Sequence, residues 1–269
     1  MVSMVSGEVI ARDEIFRQAR HNFGQRERAP RIAHGELLAL AKERLPRKRS
    51  PTVTSFSDWV FQLDRGSEDE YAKERGKAGE TVLVNGVFRD LAELRRERWE
   101  GIQNKKKQDM CYYASKRFPS SEWSLEYDGT SNSEENAIEI SALRINNKPL
   151  HAKPDLVFRH KGTGDILILE LKTWNGYGRL PPFGWPNMKV QLWCYGMIEA
   201  WRDAPNIILQ GRVWRWLARP TDDQPNADTG IQHPGIALQP WLANDPRVHL
   251  ECAELFTAFG GQYSADLRR

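Results

Sequence analysis

Residues 153–174 read KPDLVFRHKGTGDILILELKTW. Two apolar runs flank a glycine-containing turn, the pattern of a β-hairpin headed for the interior. Asp155, Glu170 and Lys172 stand inside those runs, where unpaired charge is expensive. A two-residue turn at Gly162-Thr163, glycine first as a type II′ hairpin prefers, sets Lys161 against Gly164. Counting outward then places Asp155 opposite Glu170, with Cβ atoms about 5 Å apart. Strand alternation groups Glu170 and Lys172 with Ile166 and Ile168 and sends Leu167, Leu169 and Leu171 to the other face.

Two carboxylates that close repel unless they are protonated or joined by a cation. Oxygen-only ligation without a nearby thiolate suits Mg²⁺ or Mn²⁺. Such an ion acidifies a bound water and braces the oxygens of a phosphodiester. Lys172 would orient that water or neutralise charge on the phosphate. The structural alternative is a salt-bridged Asp–Glu–Lys cluster at a sheet end. A retaining glycosidase also wants carboxyls about 5 Å apart, but it leaves Lys172 without a role.

Outward from the hairpin, the periodicity predicts helices over residues 8–23 and 34–45, the second stopping at Pro46. "PRKRSPTVTS" reads as a basic connector, and "FSDWVFQL" opens a helix with Ser57 as its cap. Val84, Val87, Leu91, Leu94 and Ile102 mark one face of a long amphipathic helix. Beyond Pro119 the period becomes two, and "EWSLEY", "AIEISALRI" and "PLHAKPDLVFRH" read as strands, the last two joined by a turn at Asn146-Asn147. "DILILEL" is apolar without interruption, as in a strand buried on both faces. "MKVQLWCYGMIEAWRDA" is a helix stopping before Pro205, "NIILQGRVWRWLA" a strand, and "ECAELFTAFG" a helix. This order predicts an α/β or α+β core carrying a helical N-terminal appendage.

The bulk properties describe a globular protein: 269 residues, 40% hydrophobic, 28% charged, net charge +3. Basic clusters such as "RQARHNF", "RERAPRIAH", "KERLPRKRS" and "NKKKQ" crowd the first 110 residues, as solvated helix faces or as a phosphate-tracking surface. Cys111, Cys194 and Cys252 are too few for a four-thiolate site, which excludes an iron–sulfur cluster. The opening lacks the basic end and apolar run of a signal peptide, and no segment approaches about 18 apolar residues. The expected compartment is the cytoplasm, with no membrane partner.

Pro154-Asp155, fourteen intervening residues and Glu170-Leu171-Lys172 together resemble the signature of the PD-(D/E)XK nuclease superfamily. Nineteen residues after Lys172 comes "QLWCY", Gln191 to Tyr195, which is similar to the Q-x-x-x-Y helix motif of the RecB-like branch. That branch supplies nuclease domains of helicase–nucleases and related exonucleases. The resemblance implies a restriction-endonuclease-like α/β core with a mixed central sheet flanked by helices. A helical basic region over 1–70 and a nuclease-like domain over 71–269 would then divide the chain. It also implies a Mg²⁺-dependent deoxyribonuclease, with DNA as partner and a helicase or other nucleic-acid-processing protein as the class of protein partner. Asp155 and Glu170 would be metal ligands, Lys172 the catalytic lysine, and Gln191 and Tyr195 the holders of water or DNA backbone. The family places a further ligand, often the His of G-x-x-x-H, on the helix before the sheet. Here Gly76 and Glu80 occupy that spacing, with Glu where His is usual, and Glu93 and Glu97 are rivals.

The alternative is the same fold with a weakened site that only binds nucleic acid or a partner protein. His151, upstream on the same predicted strand, is read as an ordinary strand histidine or as a neighbour of the site. The loop aromatics Trp174, Tyr177, Phe183 and Trp185 either stack on unpaired bases or fold back over the core.

Overall fold

The computed structural model describes residues 12–24, 32–44, 50–65, 122–129, 137–174, 180–215 and 236–264. Three helices come first: α1 (Arg12–Asn22), α2 (His34–Glu43) and α3 (Val53–Arg65). Five strands follow: β1 (Trp123–Asp128), β2 (Ile138–Ile145), β3 (Lys148–Ala152), β4 (Leu156–His160) and β5 (Ile166–Trp174). Next come α4 (Pro186–Tyr195), a 3₁₀ turn at Glu199–Trp201 and β6 (Ile207–Arg215). β7 (Ile236–Ala237), β8 (Trp241–Leu242), α5 (Pro246–Ala258) and β9 (Gly261–Tyr263) complete the order.

The central sheet runs β1-β4-β5-β6, with β7 and β8 both pairing β6. β4 is antiparallel to β1 and to β5, whereas β5 and β6 are parallel, so the sheet is mixed. Helices flank it, and the class is α/β. A smaller antiparallel sheet, β3-β2-β9, lies beside it.

Local chemistry explains several element ends. Asn146 and Asn147 both adopt positive φ (51° and 63°), the conformation that a type I′ hairpin turn requires, and join β2 to β3. Asp245 caps α5 by accepting the Arg247 and Val248 amides, with Pro246 in the first turn. α3 begins earlier than its sequence suggests. Thr52, not Ser57, receives a first-turn amide (Ser55 N, 3.1 Å), and the Ser57 hydroxyl donates to the Thr54 carbonyl inside the helix.

Two further expectations are corrected. The run 149–160 is not one strand: β3 belongs to the small sheet and β4 to the central one. The break falls at Lys153–Pro154–Asp155, where proline offers no amide to continue a ladder. The helix predicted to reach Pro205 ends at Tyr195. The chain beyond it turns so that the Glu199 carboxylate accepts the Ser141 amide at 2.9 Å, inside the register shift of β2.

The N-terminal helices are not an appendage. Leu37 and Ala41 of α2 and Phe56 and Val60 of α3 join one hydrophobic cluster with Val190 and Trp193 of α4 and Phe256 of α5. Phe56 meets Phe256 edge-on at 5.2 Å. Cys194 and Cys252 are buried free thiols in the same cluster, and burial pushes the Cys194 thiol well up, away from reactivity. No described helix is long and apolar enough to cross a membrane.

α1 is held differently. Arg12 reaches the buried Asp165, just before β5, at 2.6 Å, while Thr163 and Asn206 donate to the same carboxylate at 2.7 Å. Burial would raise the Asp165 carboxyl; the bonds from Asn206, Thr163 and Arg12 outweigh it and hold the group below its ordinary value. Stability from this lowered value is fully present above about pH 4, the unfolded carboxyl value, and fades as pH falls through the folded one. Arg12→Ala should therefore cost on the order of 3 kcal/mol near neutrality. In urea denaturation the deficit of Asp165→Asn should shrink in acid; a deficit independent of pH would contradict the charge assignment.

Candidate active site

Register is the first determinant of the site. The β4–β5 ladder pairs Arg159 with Ile166, Phe158 with Leu167, Val157 with Ile168 and Leu156 with Leu169. Continued one step beyond its last pair, this register would set Asp155, which itself stands just outside the ladder, opposite Glu170, the place counted from the sequence. The turn itself differs. Lys161 to Gly164 form a four-residue loop, closed by the Gly164 amide on the His160 carbonyl at 2.8 Å, and Gly164 takes the positive φ of 76°. The Thr163 hydroxyl binds Asp165, which favours this loop over a tight turn at Gly162-Thr163. Both turns are centred on the same point, so the pairing downstream is unchanged.

Asp155 lies where the chain leaves the central sheet. Its carboxylate accepts the Leu171 amide at 2.6 Å, taking the place that a backbone carbonyl of a longer β4 would have filled. Glu170 is 2% exposed and its Oε1 lies 2.6 Å from Lys172 Nζ, on a side chain 23% exposed. The ammonium thus stands between a buried carboxylate and solvent. Ile166 and Ile168 join the cluster with Met188 of α4 and Val213 of β6, so alternation turns Glu170 and Lys172 to the α4 side of the sheet.

The row across the sheet at this level is Gly129, Asp155, Glu170 and Gly211. Glu170 pairs directly with Gly211, and the Gly129 amide donates to the Asp155 carbonyl at 3.0 Å. A Cβ at Gly129 would fall 1.9 Å from the Pro154 carbonyl oxygen, and one at Gly211 would fall 2.4 Å from Met188 Sδ. Glycine therefore lets β1 close on the Pro154–Asp155 bend and lets α4 settle beside Glu170. Neither glycine was singled out from sequence. The available signal was a glycine at each end of a row of paired strands, visible only once the register is known.

α4 brings the next pair. The Tyr195 hydroxyl donates to the Lys153 carbonyl at 3.3 Å, two residues before Asp155. Gln191, one turn earlier on the same face, is 7% exposed, and its Oε1 is buried without a hydrogen-bond partner among the described residues. Tyr127 of β1 completes the surroundings. Burial first, then the charges of Asp128 and Asp155, push its hydroxyl up to about 12.

Asp155, Glu170 and Lys172 are thus brought together, with Tyr195 beside the bend. Gly76, Glu80, Glu93 and Glu97 lie outside the described residues, as does Tyr177. Among the described residues no group of three or more His, Cys, Asp or Glu side chains gathers at one point. His151 belongs to β3 in the small sheet, where it pairs with Glu139. Phe183 and Trp185 are core residues, Phe183 packing edge-on to Trp241 at 5.6 Å, so these two do not offer rings to a ligand.

The donor chemistry fits a hard divalent cation: two opposed carboxylates, oxygen only, beside a lysine that already balances one of them. Asp155 and Glu170 are the residues that would hold it. Comparison of the chain with protein-family models, with curated proteins and with solved structures finds no match in any of the three.

The glycine row makes a stability prediction. Gly129→Ala sets a methyl against backbone and should cost about 1–3 kcal/mol. Gly211→Ala meets the flexible ends of Met188 and Leu238 and should cost less. Equal or reversed losses in chemical denaturation would contradict the packing.

Proposed function

We propose that the protein is a Mg²⁺- or Mn²⁺-dependent deoxyribonuclease with a restriction-endonuclease-like core of the PD-(D/E)XK type, RecB-like branch. One observation carries the reading: Lys172 lies 2.6 Å from Glu170, and the Asp155 carboxylate accepts the amide of Leu171, the residue between them, at 2.6 Å. The coarse architecture supports it, because a mixed central sheet flanked by helices is what the resemblance implies. Tyr195 at the Lys153 carbonyl and the buried Gln191 oxygen lend support to the branch.

A bound divalent ion would supply an acidified water and positive charge at the scissile phosphate. The chain's own residues do the rest. Asp155 is oriented by the Leu171 amide, so its carboxylate is aimed before any ligand arrives. Lys172 balances Glu170 and would donate to charge that develops on a phosphate oxygen. Hydrolysis adds the water oxygen to phosphorus and breaks one ester P–O bond, and the departing oxygen takes up a proton. Gln191 and Tyr195 are themselves buried, so in this reading they act by position, Tyr195 through its bond to the Lys153 carbonyl two residues before Asp155. The reading extends to DNA as partner, with a helicase or other nucleic-acid-processing protein delivering it.

A second reading is a nuclease-fold module that only binds nucleic acid or a protein. The short Glu170–Lys172 contact favours it, since a carboxylate already neutralised has less need of a metal.

Linear, circular and single-stranded DNA, each with Mg²⁺, Mn²⁺ or chelator, tests both. The isosteric Asp155→Asn and Glu170→Gln should reduce cleavage by at least about a hundredfold, on the scale of losing one group that stabilises transition-state charge. Asn is preferred to Ala at 155 because Ala would strand the Leu171 amide and cost stability as well. Lys172→Ala should depress turnover while calorimetry still shows Mn²⁺ binding. Tyr195→Phe, which deletes a long hydrogen bond, should leave stability nearly unchanged and lower cleavage. Metal binding without cleavage in the wild type would favour the binding module; cleavage that survives Glu170→Gln would remove the assigned site.

A further inference from the structure

α1 carries a surface that the carboxylate site does not use. Arg12, Phe16 and Arg20 follow at four-residue spacing and so share one helix face. Both guanidinium groups lie over the Phe16 ring, Arg12 at 4.6 Å and Arg20 at 4.4 Å from its centre. Three residues after Arg20 comes Phe23, 43% exposed and one of few large apolar side chains in water among the described residues.

The two arginines have different roles. Arg12 is committed to Asp165 and fastens α1 to the start of β5. Arg20 is exposed, and among the described residues no acid pairs with it. Stacking on Phe16 holds its planar head flat and lowers the entropy lost when its donors engage a ligand. From Phe16 to Gly24 the helix carries Arg20 and His21 together with Arg17, which Glu14 pairs at 2.7 Å, and no acidic residue of its own; the Asp245 carboxylate accepts the Gly24 amide at 2.7 Å. An ordered guanidinium beside an exposed ring matches a polyanion whose units also carry flat aromatic groups.

We propose that the Arg20–Phe23 end of α1 is a docking surface for single-stranded nucleic acid, with Arg20 on a phosphate and Phe23 against an unpaired base. The proposal rests on the nuclease reading for its biological sense, though its chemistry stands on α1 alone. The single strand is favoured over duplex for two reasons. An exposed ring can stack only on a base that is not already stacked and paired. The buried apolar residues of α1, Ile15 and Ala19, also stand outside the cluster that α4 joins, and Arg12 holds Asp165, which strand alternation puts on the face opposite Glu170, so the patch and the carboxylates do not share one flat platform. A strand joining them must turn around the sheet, which a flexible single strand does and a stiff duplex does not.

Fluorescence anisotropy in chelator tests this without any dependence on cleavage. A labelled single-stranded oligonucleotide and its duplex are titrated with wild type, Arg20→Glu and Phe23→Ala, each checked for native circular dichroism. Both positions are exposed, so both variants should fold. Arg20→Glu should weaken single-strand binding on the order of tenfold and reduce the slope of log K against log salt by about 0.7. Phe23→Ala should weaken single-strand binding on the order of tenfold and leave duplex binding nearly unchanged. No binding by the wild type, affinities within twofold in both variants, or an equal loss on duplex and single strand would each overturn the proposal. The nuclease reading fails separately, by absence of metal-dependent cleavage, whatever these titrations show.

Discussion

β5 is paired with β6 along its length and with β4 over residues 166–169, and its apolar side chains over residues 166–171 are buried on both faces. A charged residue in such a strand cannot reach water by local movement, because any shift would break two ladders at once. Glu170 is therefore a fixed charge at a fixed depth. Its electrostatic cost, several kcal/mol for an unpaired buried ion, has to be met within the reach of its own side chain. Lys172, two residues on and facing the same way, meets it from the solvent side.

Asp155 shows the complementary solution. It stands at the end of a strand rather than inside one, where Pro154 turns the chain out of the central sheet toward β3. That exit would leave the Leu171 amide without an acceptor, and the aspartate carboxylate takes the position. One side chain thus completes the backbone bonding of β5 and presents negative charge beside Glu170. The glycines that flank the pair permit this closeness, Gly129 by admitting the Pro154 carbonyl and Gly211 by admitting Met188. A site assembled in this way sits on strands and a packed helix, so its geometry is set before a ligand binds.

The N-terminal helices serve the same strand from two directions. α2 and α3 close the hydrophobic cluster over α4, which in turn holds Tyr195 against the Lys153 carbonyl. α1 is anchored through Arg12 to Asp165, at the start of β5. Among the described residues of α1, Arg12 is thus a structural arginine, fixed by a buried acid, whereas Arg20 is exposed.

The sequence by itself determined the hairpin register, the grouping of Glu170 and Lys172 on one face and the Asn146-Asn147 turn. Each depends only on neighbours along the chain or on the twofold alternation of a strand. The register even survived a wrong turn assignment, because the two-residue and four-residue loops share a centre. Only the tertiary structure decided that residues 149–160 divide between two sheets, since a single proline reads alike inside an edge strand and at a break. It also decided that α2 and α3 belong to the core and that Phe183 and Trp185 are buried. Which surface covers an amphipathic helix or an aromatic loop is settled by distant partners, and those leave no period in the local sequence. The roles of Gly129 and Gly211 were illegible for the same reason: a glycine needed for close approach is recognisable only when the approaching atom, here a Pro154 oxygen or a Met188 sulfur, is in place.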